Sequence, residues 1–378
     1  MFDKKNKSKK ELFNVVFDIR NSSVAAAIFT EIDNKPNIIY TKRITTLLNN
    51  DSKTDSIVQS LYKSFDLLLE DIRKFKTEKE IKSINRVNCV FSSPWYKAKV
   101  ETLIFDEKKE MVFTKDYLNK KIQDVKIKSK DNDNVLEDQI LSTYLNGYEV
   151  INPYNKKFDQ AKFAIYKSFI GKKIEENIKV KINNTLNTKN ILLNSHPIAI
   201  LSILKTNYHS INDFCLFDIG GDVTEVSVFS DGLFKELINI PKGFNYLVSE
   251  ISKKEKVDTQ SAISKIKLIS SGELKDEKLS IFITETIKEW FIDVKDLRKE
   301  EIDDVSKNIF ITTDNDFKKI ISNAMNQKTF YSDILELSME PFVRIIDSIN
   351  TKDLAVYEDN TERDPILSIL CNFSTIVF

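Results

Sequence analysis

The sequence predicts an α/β protein of two related lobes, with a smaller α+β segment inserted into the first. Three observations carry that prediction. Phe17-Asp18-Ile19 and Phe217-Asp218-Ile219, 200 residues apart, each end a short apolar run. The two copies match without a gap over thirteen positions, closing at Ile28-Phe29 and Val228-Phe229, and each reads as strand, polar turn, strand. The 378-residue chain is also too long for one simple core, and its 41% hydrophobic and 30% charged residues suit a soluble globular protein.

Along the chain, Val15–Ile19, Val24–Thr30 and Asn37–Ile44 read as an antiparallel meander, with Asp33-Asn34-Lys35-Pro36 as a turn. Ile57, Leu61, Phe65, Leu68 and Ile72 recur at helical spacing. Val87–Phe91 is a short buried strand, stopped by Ser92-Ser93-Pro94. The texture then changes. Lys99–Phe105 alternates like a half-exposed strand, and Thr114 opens a helix through Ile122 and Val125. Lys126–Asn134 is a charged break, and Thr143–Ile151 and Gln160–Phe169 are strands around Asn152-Pro153. Lys172–Leu186 is a helix, Asn190–Asn194 a strand, and Pro197 fits the first turn of a helix running to Lys205. The meander recurs as Phe214–Ile219, Val223–Phe229 and Leu233–Ile240, with Asp231-Gly232 as a hairpin turn. Residues 244–300 read as lysine-rich helices, Asn308–Thr312 as a strand and Phe317–Met325 as a helix. After Pro365, the residues Ile366, Leu367, Ile369, Leu370, Phe373, Ile376 and Val377 fall on one helical face. No Lys or Arg stands among the polar positions, which favours a helix closing the core over a membrane anchor.

Composition narrows the function. Fifty-seven basic residues balance fifty-seven acidic ones, so net charge gives no reason to expect nucleic-acid binding. Cys89, Cys215 and Cys371 form neither a disulfide framework nor a zinc pattern, which fits a reducing cytoplasm. His196 and His209 are the only histidines, which excludes a histidine-rich metal site and disfavours a Ser-His-Asp hydrolase. No run approaches the roughly 20 apolar residues of a membrane span. Lys4–Lys10 carries five lysines and no following apolar region, so it reads as a disordered basic tail, with weak attraction to anionic lipid as the lesser option.

A bound phosphate needs backbone N–H donors that come close, and a metal to offset its charge. Only 7 glycines occur in the chain, so the adjacent pair Gly220-Gly221 stands out as a place where backbone can approach without a Cβ. A carboxylate ending the preceding strand can orient the waters of Mg²⁺. Asp218, Gly220, Gly221 and Thr224 supply these parts, and Asp18, Asn21, Ser22 and Ser23 face them from the other copy. Either turn alone reads as an ordinary hairpin; the matched pair points to a nucleotide clamp. Trp95 and Tyr96 read as an aromatic clasp holding the insert to its lobe, ahead of a partner-binding patch. Trp290-Phe291 reads as core.

These residues resemble the actin-like ATPase superfamily, a duplicated ribonuclease H-like fold of two lobes. Phe17 to Ser23 resembles its first phosphate motif, and Phe217 to Glu225 its second. The insert, Gly147-Tyr148-Glu149-Val150 before Asn152-Pro153, and Asp231-Gly232 before Ile240-Pro241-Lys242-Gly243 resemble the FtsA/PilM branch, whose insert is an SHS2-type subdomain. The resemblance implies a tail at 1–11 and a first lobe at 12–86 and 171–212, with the insert at 87–170. The second lobe takes 213–243 and 305–364, with a helical subdomain at 244–304 and a closing helix at 365–378. It implies ATP and Mg²⁺ as ligands, Asp18 and Asp218 as the metal-orienting pair, and Lys267 toward the nucleoside.

The departures from the family pattern are specific. Arg20 stands where a glycine is usual, Asp222 and Val223 replace a glycine and a threonine, and Phe244 replaces the second glycine of a pair. Thr312-Thr313-Asp314 replaces a Thr-Gly-Gly loop, and Ser264 replaces a glutamate. A carboxylate at 222 repels phosphate unless metal or Arg20 compensates it. The implied protein is a cytoplasmic scaffold of the FtsA kind that binds ATP–Mg²⁺ weakly or not at all, is at most a weak ATPase, and self-associates. It meets a division or envelope partner, and touches the inner face of the membrane only peripherally or through that partner. The alternatives are a PilM-like adaptor of a pilus or secretion platform and, from another class, a small-molecule kinase of the same fold, which the degenerate loops disfavour.

Overall fold

The computed structural model describes residues 12–46, 54–123, 132–207, 211–297, 306–313, 317–347 and 351–377. The basic tail, Val125, residues 126–131, His209 and Asp314 lie outside them. In the first lobe, β1 (Phe13–Ile19), β2 (Ser23–Ile32) and β3 (Lys35–Thr45) form the expected meander, and α1 (Thr54–Glu78) leads to β4 (Ile84–Phe91). The insert holds β5 (Tyr96–Val112), α2 (Lys115–Gln123), β6 (Asp133–Leu145), β7 (Tyr148–Glu149) and β8 (Lys157–Gly171). The chain returns through α3 (Lys172–Leu186), β9 (Ile191–Ser195) and α4 (His196–Asn207).

The second lobe repeats the meander as β10 (Phe214–Ile219), β11 (Thr224–Ser230) and β12 (Leu233–Ile240). Three helices follow, α5 (Phe244–Glu255), α6 (Thr259–Ser271) and α7 (Glu277–Leu297). Then come β13 (Asn308–Thr313), α8 (Lys318–Met325), α9 (Lys328–Asp333) and β14 (Phe342–Ile345). β15 (Val356–Tyr357) and α10 (Pro365–Val377) end the chain.

Among the described residues the strands form three sheets, ordered β15-β3-β2-β1-β4-β9, β12-β11-β10-β13-β14 and β5-β8-β6-β7. β4 pairs with β1, so the separate insert sheet begins at Tyr96 rather than at 87. β15 pairs with β3, which carries that part of the 305–364 segment onto the first sheet. The duplication extends to register. Asp18 pairs with Ala25 and Ile19 with Val24; 200 positions on, Asp218 pairs with Glu225 and Ile219 with Thr224. Each central strand is buried almost throughout because both sheet faces are covered, so it reads as a continuous apolar run.

Two expectations need correction. Thr143–Ile151 is not one strand: Asn146 and Gly147 both take positive φ (51° and 83°) and turn the chain from β6 into β7. Asn-Gly favours that turn because both residues tolerate left-handed backbone. In α10, Ile366, Leu367, Ile369, Leu370 and Phe373 are buried, but Ile376 is 57% exposed and Val377 40% exposed, beyond the surface that the helix covers. α10 packs on α4 and on β1, β2 and β3. Trp95 and Tyr96 are buried in the first lobe's core, and Trp290 and Phe291 in the second's. Among the described residues no helix is long and apolar enough to cross a membrane.

Candidate functional site

The two β-hairpins meet turn to turn. In each, the residue after the apolar strand closes the turn: Arg20 N–H donates to Ser23 O and Gly220 N–H to Val223 O, both at 3.0 Å. The strands deliver Asp18 and Asp218 to the same junction, where both are buried. Arg20 is fully buried between them. Its Nη1 donates to Asp218 Oδ1 at 2.8 Å and its Nε to Asp18 Oδ2 at 3.2 Å. Its Nη2 lies 2.7 Å from His196 Nε2. A guanidinium only donates, so His196 Nε2 accepts and the ring proton sits on Nδ1, 3.1 Å from Asp218 Oδ2. Thr312 Oγ1 donates to Asp218 Oδ1 at 2.7 Å. Burial works against the charge on Asp218, but Arg20 first, then His196 and Thr312, outweigh it and hold this carboxyl far below the usual range.

The neighbouring donors are also engaged. Asn21 Oδ1 accepts the N–H of Gly221 at 3.0 Å, and Asn21 Nδ2 donates to Asp222 Oδ2 at 2.9 Å. Asn245 Nδ2 donates to the other oxygen of Asp222 at 2.8 Å. The first N–H groups of α5, those of Phe244 and Asn245, donate to the carbonyls of Gly220 and Gly221 at 3.0 and 2.8 Å. Gly243 makes that close approach possible: a Cβ there would stand 2.3 Å from Gly221 O. Thr224 Oγ1 donates to Lys242 O at 3.0 Å.

These residues do not fit a metal–phosphate pair. The position between the two carboxylates is filled by a fixed cation, and the Gly221 N–H and the helix N-terminus already have protein acceptors. Among the described residues no group of three or more His, Cys, Asp or Glu is arranged to hold a metal.

Of the residues singled out from sequence, Asp18, Asn21, Asp218, Gly220 and Gly221 come together at this junction. Ser23 lies beside it, accepting from Arg43 Nη1 at 2.8 Å, and Ser22 offers its carbonyl to the N–H of Thr46 at 2.8 Å. Thr224 faces the α5 approach. Lys267 is elsewhere: it lines a cavity of about 460 Å³ on α6 and α8 with Lys318 and Lys319. In the sequence Arg20 stands out as a departure and as a candidate counter-charge to Asp222, and Thr312 as part of an altered loop; the roles of His196 and Arg43 carry no comparable signal. The one local signal for His196 was its place beside Pro197 at a strand-to-helix junction.

A second buried network joins the insert to both lobes. Glu225 of β11 accepts from Tyr96 Oη and, at 2.6 Å, from Ser93 Oγ. Burial pushes its carboxyl up to about 7, against the two hydroxyl donors. Tyr166 Oη lies 2.8 Å from Ser195 Oγ, which donates to Glu137 of β6. Tyr166 also stacks on Phe234 of the second lobe, with centroids 5.8 Å apart.

No family model matches this sequence, and no curated protein matches it. Solved structures do. The PilM-PilN type IV pilus biogenesis complex contains a chain that superposes at TM-score 0.59 and 9% identity, covering 96% of this chain and 98% of that one. The ethanolamine utilization protein EutJ from Carboxydothermus hydrogenoformans follows at TM-score 0.43 and 12% identity, over 96% of this chain and 89% of that one. A Bacteroides thetaiotaomicron protein with actin-like ATPase fold and unknown function gives 0.42 and 10%, over 98% of each chain. At these identities the likeness is one of architecture, and the chain has the actin-like ATPase fold.

Proposed function

We propose that this protein is a PilM-like adaptor that holds a protein partner of an envelope machine without turning over nucleotide. One observation carries the reading: Arg20 stands between Asp18 and Asp218, where a nucleotide-binding relative needs room for metal and phosphate. Nucleotide in such folds sets the angle between lobes. Here a bridge built into the chain does so. The likeness in fold to the PilM-PilN complex supports a partner from pilus or secretion machinery. A cytoplasmic segment of an inner-membrane protein would bring the adaptor to the membrane's inner face. ATP–Mg²⁺ binding would be weak or absent, and with it the kinase reading.

The test is complex formation with the cytoplasmic segment of an inner-membrane pilus protein encoded beside this one, measured with and without ATP–Mg²⁺. Equal affinity in both conditions is expected. Binding that requires ATP, or no complex with any such segment, would sink the proposal. The FtsA-like division scaffold shares the nucleotide expectation and differs in self-association. Its distinct sign is concentration-dependent polymers in sedimentation velocity.

A further inference from the structure

Five charged side chains of alternating sign run from the second lobe to the last helix. Asp218 pairs with Arg20, Arg20 with Asp18, Asp18 with Arg43, and Arg43 with Asp364. The last two contacts are 2.9 Å, from Arg43 Nη2 to Asp18 Oδ2, and 2.8 Å, from Arg43 Nε to Asp364 Oδ2. Asp364 precedes α10, and its Oδ1 accepts the N–H of Leu367 at 3.0 Å, so it caps that helix. The far end of the row therefore holds the entry to a helix that covers the first lobe's sheet.

Two atoms of the row are shared: Arg43 Nη2 lies 2.9 Å from Asp18 Oδ2 and 2.8 Å from Asp364 Oδ2, and Asp18 Oδ2 serves both arginines. Both arginines converge on Asp18 Oδ2, while the buried Oδ1 accepts no hydrogen bond among the described residues. Two cations on one oxygen must divide its charge. When Arg20 also has Asp218, its demand on Asp18 is small and Arg43 keeps its partner. When Arg20 loses Asp218, its uncompensated charge falls on Asp18 and competes with Arg43, in a buried setting where such competition is weakly screened. Asp364 senses both cations. Burial opposes its ionisation, but Arg43 foremost and Arg20 at longer range hold its carboxyl below the usual range.

We infer that α10 is latched to the interlobe junction through the Asp218–Arg20–Asp18–Arg43–Asp364 row, so that parting the lobes loosens the cap of α10. Asp218 belongs to the second lobe, whereas α10 packs on the first. A partner that pries the hairpins apart thereby changes how firmly this apolar helix is held. The inference stands on the ion-pair geometry and does not depend on which partner binds.

Hydrogen–deuterium exchange on the full chain tests it, comparing wild type, Asp218→Asn, Arg43→Met and the double variant. Asp218→Asn is expected to speed exchange of the Leu367–Cys371 amides about fivefold or more, the lower end of ordinary site-to-site coupling. The amides around Ile178 and Ile182 of α3 should stay as in wild type. In the Arg43→Met background, Asp218→Asn should add nothing at α10. Two results would overturn the latch: α10 exchange unchanged in Asp218→Asn, or the same increment with and without Arg43. If circular dichroism shows that Asp218→Asn is unfolded, Thr312→Val replaces it, since it removes one hydrogen bond from Asp218 without changing charge. A rise at α10 above about twofold, the limit of additivity for uncoupled sites, is then expected, and its absence refutes the latch.

Discussion

A guanidinium buried between two carboxylates is stable only while the three groups stay together, because each charge has lost its water. Arg20→Met leaves Asp218 with His196 and Thr312 but without the guanidinium. It should destabilise the protein by about 3–5 kcal/mol, read as a lower urea midpoint. The triple variant Asp18→Asn, Arg20→Met, Asp218→Asn, which removes the charges together, should recover much of that loss. Glu225 gives the opposite kind of signature. Its folded value of about 7 lies above the ordinary 4.5, so between these pH values the folded state binds more protons than the unfolded state. Stability from this group is therefore full below about pH 4.5, falls as pH rises toward 7 and stays low above it. Glu225→Gln should remove that slope, which thermal melts across pH 4 to 8 would show; an unchanged slope would mean that Glu225 is not the group that titrates.

The elements around the junction were unequally legible. The two hairpins could be read because apolar runs, aspartates and polar turns repeat at one spacing, and the register repeats with them. The side chain of Arg20 could not be placed from sequence. Its partners His196 and Asp218 are 176 and 198 residues away, and nothing in the local pattern says that the turn points its cation inward. β14 and β15 are four and two residues long, too short for a periodic signal. Asn146-Gly147 carried a turn signal that the surrounding β-like texture concealed. Gly243 was read as part of a family motif, but its physical reason is contact with the Gly220-Gly221 backbone. Gly243→Ala would force those backbones apart and should cost about 1–3 kcal/mol or more, the range for overpacking, by denaturant unfolding. Gly147→Ala, with open space around its Cβ but φ of +83°, should cost about 1–2 kcal/mol through backbone strain alone.

At the scale of the molecule, the lobes are joined by direct contacts between their turns, by the Glu225 network through the insert, and by the ion-pair row to α10. The first of these joints uses Asp18 and Asp218, the carboxylates that an open nucleotide cleft would leave available for metal. Isothermal titration of ATP–Mg²⁺ into the purified full chain, beside Asp218→Ala, tests this most directly. No saturable heat up to about 1 mM ligand is expected for either protein, corresponding to binding weaker than about 4 kcal/mol. Saturable micromolar binding by the wild type that vanishes in Asp218→Ala would contradict the account, since it would mean that Arg20 yields the junction to nucleotide.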